Sequence, residues 1–126
     1  MMTMVCFHSA GTDYCMSVQA TRAVRLTSGM VALPVPAADI AGILPGEPPL
    51  TVISPFGSGG TQVLVVEADE KTFGLLVDAV TGLRRIADTD INPPPAGQDR
   101  PLVCGTINTG DQLVLVTDPN ILARRL

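Results

Sequence analysis

Two short apolar runs, Val63–Val66 and Phe73–Val77, flank the polar stretch Glu67-Ala68-Asp69-Glu70-Lys71-Thr72. Valine-rich runs of this length bounded by polar residues favour strands, and the connector joins them as a β-hairpin. Gly74 and Gly82 bracket the second arm, where glycine marks a bulge, a bend or a close backbone approach. The pattern constrains far more than its own span, because it occurs twice. Phe7, Tyr14, Met16, Val18 and Val24 stand 59 residues ahead of Val66, Phe73, Leu75, Val77 and Leu83. A second block, Ile40–Leu44 followed by Leu50–Ser54, matches Val103–Ile107 followed by Leu113–Thr117 at an offset of 63. Two blocks repeated in the same order predict a duplicated β unit of about 60 residues. The approximate halves are 1–56 and 61–126 of one domain, joined by the glycine-rich connector Pro55-Phe56-Gly57-Ser58-Gly59-Gly60.

Composition supports an all-β chain. A 126-residue chain can bury about two thirds of its unfolded surface, so neither metal nor disulfide is needed to hold it together. The apolar fraction is 46% but only 3% is aromatic, so the core is built of Val, Leu, Ile and Met. Eleven prolines and twelve glycines interrupt the chain too often for long helices. Twelve Asp plus Glu against eight Lys plus Arg give a net charge of −4, which argues against a nucleic-acid partner. Cys6, Cys15 and Cys104 form no CxxC and leave one thiol over if two pair, as in a reducing compartment. The first residues lack a signal-peptide pattern, and no apolar run reaches the roughly 18 residues of a membrane span. A cytoplasmic protein without membrane insertion is expected.

Along the chain, Thr3–His8 and Tyr14–Leu26 read as strands around the turn Ser9–Asp13, the second one bent near Gln19–Thr21. Pro36–Gly42 has the marks of one or two helical turns, with proline at the start and glycine at the stop. Leu50–Ser54 follows the proline-rich loop 45–49, and Ile91–Gly97 is a stiff extended segment. Leu102–Ile107 and Gln112–Thr117 make a further hairpin. Asp118 as N-cap and Pro119 as first residue open a short C-terminal helix. About ten short strands without crossover helices predict small antiparallel barrels. Leu50–Ser54 and Leu113–Thr117 are candidate exposed edges open to another barrel.

Chemistry-bearing residues are few. His8 with Cys6, Cys15 and Cys104 has the donor types of a tetrahedral zinc site, and Cys6 and His8 share one strand face. The spacing and the apolar company of the cysteines favour core filling. A Cys-His nucleophile pair has no third group to orient it. Asp78 interrupts the apolar run 74–80, as a solvent-facing strand residue, a turn cap or an interface group. No paired carboxylates or phosphate-binding loop are present, so neither an enzyme nor a cofactor is expected.

Phe73-Gly74-Leu75-Leu76-Val77-Asp78-Ala79-Val80, followed by Ile86 and Ile91-Asn92-Pro93-Pro94-Pro95, resembles the Gly-x-x-Val-Asp-x-Val strand and proline-bearing extension of the CheW family of bacterial chemotaxis coupling proteins. Val103-Cys104-Gly105 with Leu113–Thr117 is similar to that family's penultimate hairpin, and Phe7, Tyr14 and Val18 to its first. The chain departs from the family's Asn-Leu-Arg-Gly turn at Leu44-Pro45-Gly46, and Ala23-Val24 stands where a Glu-Ile pair is common. The resemblance implies two SH3-like β-barrels packed around a shared core and no catalysis. It implies an adaptor that joins a chemoreceptor signalling tip to the regulatory domain of a histidine kinase, with a receptor helix in an apolar groove between the barrels. On this sequence the partner-binding positions would be Thr21, Val24, Gly42, Gly74, Leu76, Asp78 and Val80. The rival reading is a peptide-binding β-barrel module that scaffolds another signalling complex.

Overall fold

A computed structural model describes residues 1–32, 39–56, 60–94, 102–124 and 126. The first half of the chain supplies β1 (Met2–Ser9), β2 (Thr12–Ser17), β3 (Thr21–Leu26), β4 (Ile40–Leu44) and β5 (Leu50–Ile53). The second half supplies β6 (Gln62–Ala68), β7 (Lys71–Val77), β8 (Ala79–Ile86), β9 (Val103–Thr109), β10 (Gln112–Thr117) and the helix α1 (Pro119–Ala123). Asp118 caps α1 by accepting from the Asn120 N–H at 2.9 Å.

The strands form two five-stranded sheets, ordered β8-β1-β2-β10-β9 and β3-β6-β7-β5-β4. Each sheet takes two strands from one half of the sequence and three from the other, so the sequence halves are not the two barrels. The repeat itself is written into the pairing: Phe7 lies opposite Tyr14 as Val66 lies opposite Phe73. Val24 pairs with Leu64 as Leu83 pairs with Val5. Both leading hairpins turn through two residues of positive φ, Ala10-Gly11 and Asp69-Glu70, the backbone that matches strand twist. The polar stretch 67–72 is therefore mostly strand.

Several expectations are corrected. Gly42 faces Val52 while Gly105 faces Val116, so β4 matches β9 at the offset of 63 but β5 matches β10 at 64. The second hairpin has one residue more between equivalent paired positions, Ile107 to Val114 against Leu44 to Leu50, and its ladder runs on to Thr109 and Gln112. The sheets are mixed: β2–β10 and β5–β7 pair in parallel. Tyr14–Leu26 is no single bent strand, since the chain leaves one sheet at Ser17 and enters the other at Thr21 through a 3₁₀ turn at Val18–Ala20. Ile40–Gly42 lies in β4, whose pairing with β5 overrides the helical signal; 36–38 fall outside the described residues. β5 and β10 lie inside their sheets, so the edges fall on β3, β4, β8 and β9.

Strand alternation distributes the apolar side chains into three clusters. Phe7, Tyr14, Met16, Leu64, Val66, Phe73 and Leu75 form a shared core with Leu122 of α1. The opposite faces fill the barrel interiors, Met4, Cys15, Ile86, Ile107, Val114 and Val116 in one, and Leu44, Leu50, Val52, Val63 and Leu76 in the other. Each barrel is closed by a bridge to its far edge, Val31 to Ile43 and Asn92 to Thr106. A glycine sits beside each closure because a side chain would collide there. A Cβ at Gly42 would lie 2.6 Å from the Val31 carbonyl oxygen, and one at Gly105 would lie 2.7 Å from Ile91 Cγ2.

Gly74 is packed as tightly, its missing Cβ only 2.5 Å from Val63 Cγ1. Gly74→Ala should cost about 1–3 kcal/mol through overpacking, read as a lower denaturant midpoint. Gly46→Ala, where the nearest atom is 3.4 Å away and φ is not positive, should change stability by less than about 0.5 kcal/mol.

Candidate docking groove

The two crossovers between sheets occupy equivalent places in the repeat and create a groove between them. At the first, Ser17 Oγ accepts from the Gln19 N–H at 3.3 Å and the Thr21 hydroxyl donates to the Val18 carbonyl at 2.9 Å. This local bonding turns the chain so that β3 runs along the outside of β6. The second crossover is Asp78, between β7 and β8. Its N–H donates to the His8 carbonyl at 2.9 Å, and its carboxylate Oδ2 accepts from the Ala10 N–H at 3.1 Å. Gln62 Oε1 takes the Val80 N–H at 2.7 Å. The crossover is thereby tied to the tip of the β1–β2 hairpin, and β8 is delivered alongside β1.

Between β3 and β8 lies a groove of about 340 Å³ lined by Val5, Val18, Thr21, Arg22, Ala23, Val24, Leu64, Val80, Gly82 and Leu83. Its walls are equivalent in the repeat, Val24 facing outward on one and Leu83 on the other, and these side chains are 49% and 69% exposed. Apolar groups left in water on two edge strands contribute little to folding, and their concentration in one concavity makes it the candidate contact surface. The polar border is also asymmetric: Arg22 Nε bonds Glu67 Oε2 at 3.2 Å and Arg22 Nη1 bonds the Gln19 carbonyl at 2.8 Å. Arg25 and Arg85 are exposed on the same two strands.

Of the positions named from sequence, Thr21, Val24 and Val80 line this groove. Gly74 and Leu76 do not; both are buried inside the barrel of β3–β7, and Gly42 sits against its closing segment. Close packing calls for glycine at both positions. Asp78 lies at the crossover as a turn anchor. The bulge at Thr81 brings Leu83 onto the same face of β8 as Val80, opposite Val5 and Phe7, and the sequence repeat already paired Leu83 with Val24, which was the available signal for this residue. Val18 and Arg22 belong to the groove through the crossover, which leaves no signature in composition.

The thiols and the histidine serve the other barrel. His8 Nδ1 lies 2.9 Å from Asp13 Oδ1 across the hairpin, with both side chains about 40% exposed. Among the described residues, no three of His, Cys, Asp and Glu come together in a way that could hold a metal ion. Cys6 faces Cys15 across β1–β2. Burial pushes the Cys15 thiol up to about 12 and raises Cys6 as well, the latter partly offset by the Arg84 guanidinium. Burial, then the Asp118 carboxylate, raises Cys104.

The profile of the CheW-like domain family matches residues 32–126. The solved structure described as the scaffolding protein TtCheW from Thermoanaerobacter tengcongensis shares the fold, with a TM-score of 0.84 at 24% identity over 96% of this chain and 86% of that one. No curated protein matches the chain. Among the described residues, no helix is long and apolar enough to cross a membrane.

Asp78→Ala should cost on the order of 1 kcal/mol, since an exposed charge-assisted bond is lost while no buried partner is stranded; its thermal midpoint reports this. Cys15 should resist thiol reagents at neutral pH until the protein unfolds. Because its folded pKa stands above the ordinary value of 9.0, the stability it contributes is complete below pH 9.0 and is lost as pH rises toward about 12. Cys15→Ala should flatten that alkaline loss in a denaturation series.

Proposed function

The chain belongs to the CheW-like domain family, and from that premise we propose that it is a non-enzymatic adaptor in chemotaxis or a related two-component pathway. In this reading it is cytoplasmic, uses no cofactor, and couples a chemoreceptor signalling tip to the regulatory domain of a histidine kinase. The fold is the two-barrel SH3-like arrangement, and the observation that carries the reading is the groove between β3 and β8. A helix laid in a groove binds through apolar anchors spaced along one face, and Val24, Leu83, Val18 and Val80 offer apolar contacts on both walls.

Charge adds a preference. Arg22, Arg25 and Arg85 are exposed on the two wall strands, three of the chain's eight Lys plus Arg, in a chain of net charge −4. A helix with an apolar stripe and acidic flanks suits such walls, and steering by these charges would act mainly on the association rate. The turn 45–49 carries Glu47 and no cation, so that turn does not bind an acidic partner by charge-assisted bonds.

The test is calorimetric titration of the protein with a soluble receptor-tip helical hairpin and, separately, with a kinase regulatory domain. The wild type should bind at least one of them. Val24→Asp and Leu83→Asp place charge in the groove on exposed side chains, so they should leave the melting temperature within a few degrees and weaken receptor-tip binding by about tenfold or more, 1.4 kcal/mol each. Absence of wild-type binding to both partners would remove the coupling role.

A further inference from the structure

The sheet pairings divide into two kinds. Four hairpins, β1–β2, β4–β5, β6–β7 and β9–β10, pair strands within one half of the sequence. Among the described residues, every other pairing between these strands, β1–β8, β2–β10, β3–β6 and β5–β7, joins one half to the other, while the single bridges Val31–Ile43 and Asn92–Thr106 stay within a half. Neither half pairs its own leading hairpin with its own trailing strands. All three apolar clusters also mix the halves: Met4 and Cys15 pack with Ile107 and Val116, and Leu44 and Val52 pack with Val63 and Leu76. A half by itself has hairpins but no complete sheet or core, and an isolated two-stranded hairpin is marginal in water.

Only one covalent link crosses between the halves, the connection from Ile53 to Gln62. Its two ends are anchored separately. Phe56 packs on Tyr14 and Phe7 of its own half, with ring centroids 4.3 and 6.0 Å away. Gly60 sits against Val77 of the other, where a Cβ would lie 2.6 Å from the carbonyl oxygen.

We infer that a second copy of this chain can supply the complementary half, giving a dimer in which each two-barrel unit is built from residues up to Phe56 of one chain and from Gly60 onward of the other. The exchanged dimer keeps every strand pairing and every cluster of the monomer, and each unit keeps a complete groove because β3 and β8 come from different halves. The two forms differ only in the connector. Closure within one chain is therefore favoured by the effective concentration of the tethered half, on the order of mM for a short link. The dimer forms when the chain folds at comparable concentration, and it presents two grooves on two units tied together by both connectors.

The experiment uses two full-length copies with different affinity tags, mixed in denaturant and refolded together at about 1 mM. The expected product includes a folded species of twice the 13.1 kDa chain mass that carries both tags and melts within a few degrees of the monomer. A protease site placed between Phe56 and Gly60 in both copies distinguishes the arrangement. Cleavage should convert the exchanged dimer to folded units of the monomer's size, whereas a dimer made by surface contact would survive it. Deleting residues 57–59 should raise the dimer share at least tenfold at equal concentration. The inference is overturned if refolding at 1 mM gives only monomer, or if the mixed-tag dimer stays intact after cleavage.

Discussion

The hydrogen bonds that join β1 to β8 and β3 to β6 connect residues far apart in sequence, such as Val5 with Leu83 and Val24 with Leu64. The shared core cannot assemble without them. Phe7 and Met16 reach the same cluster as Val66 and Leu75 only after both crossings are made, because each leading hairpin needs the other half's strands beside it. Such non-local pairing loses loop-closure entropy before any apolar burial offsets it, which places the chain among slow-folding β topologies. The hairpin turns at Ala10-Gly11 and Asp69-Glu70 lower that barrier locally, since their positive-φ backbones set the register of β1–β2 and β6–β7 before long-range contacts form.

The repeat, the strand count and the apolar core were legible from sequence because burial in a sheet has period two and leaves its mark residue by residue. Phe7 with Tyr14 and Val66 with Phe73 stand opposite each other as the constant offset implies. Which sheet a strand joins was not legible. Val18-Gln19-Ala20 and Val77-Asp78-Ala79 look like continuing strand, yet the chain changes sheets at both, and the decision lies with bonds to distant atoms such as the Asp78 carboxylate to the Ala10 N–H. Parallel pairing of β5 with β7 left no local trace either, so Leu50–Ser54 reads as an edge from sequence while the strand it forms is interior. The candidate groove was legible in part for the same reason. Thr21, Val24 and Val80 fall in the groove, while Gly42 and Gly74 answer a packing demand that depends on what stands opposite, Val31 in one case and Val63 in the other.

The repeat also explains why the groove exists where it does. Each barrel ends on one side in an edge strand, β3 or β8, and the two edges lie on opposite walls of one concavity. Edge strands with outward apolar residues invite pairing with other chains, and proteins blunt them with bulges and charge. Both devices are present at equivalent positions. The register slips at Arg22, between Thr21 and Ala23, and at Thr81, where β1 passes from Cys6 to Phe7. A bulge adds twist and interrupts the ladder, so neither edge offers a straight template for a further strand. Arg22, held to Glu67, and the exposed Arg25 and Arg85 add charge along the same edges. Strand addition is thus opposed while side-chain contact remains open. For the adaptor role proposed above, a surface that opposes another backbone but leaves Val24 and Leu83 in water favours an occupant whose own hydrogen bonds are already satisfied, and an α-helix meets that requirement where an extended peptide does not.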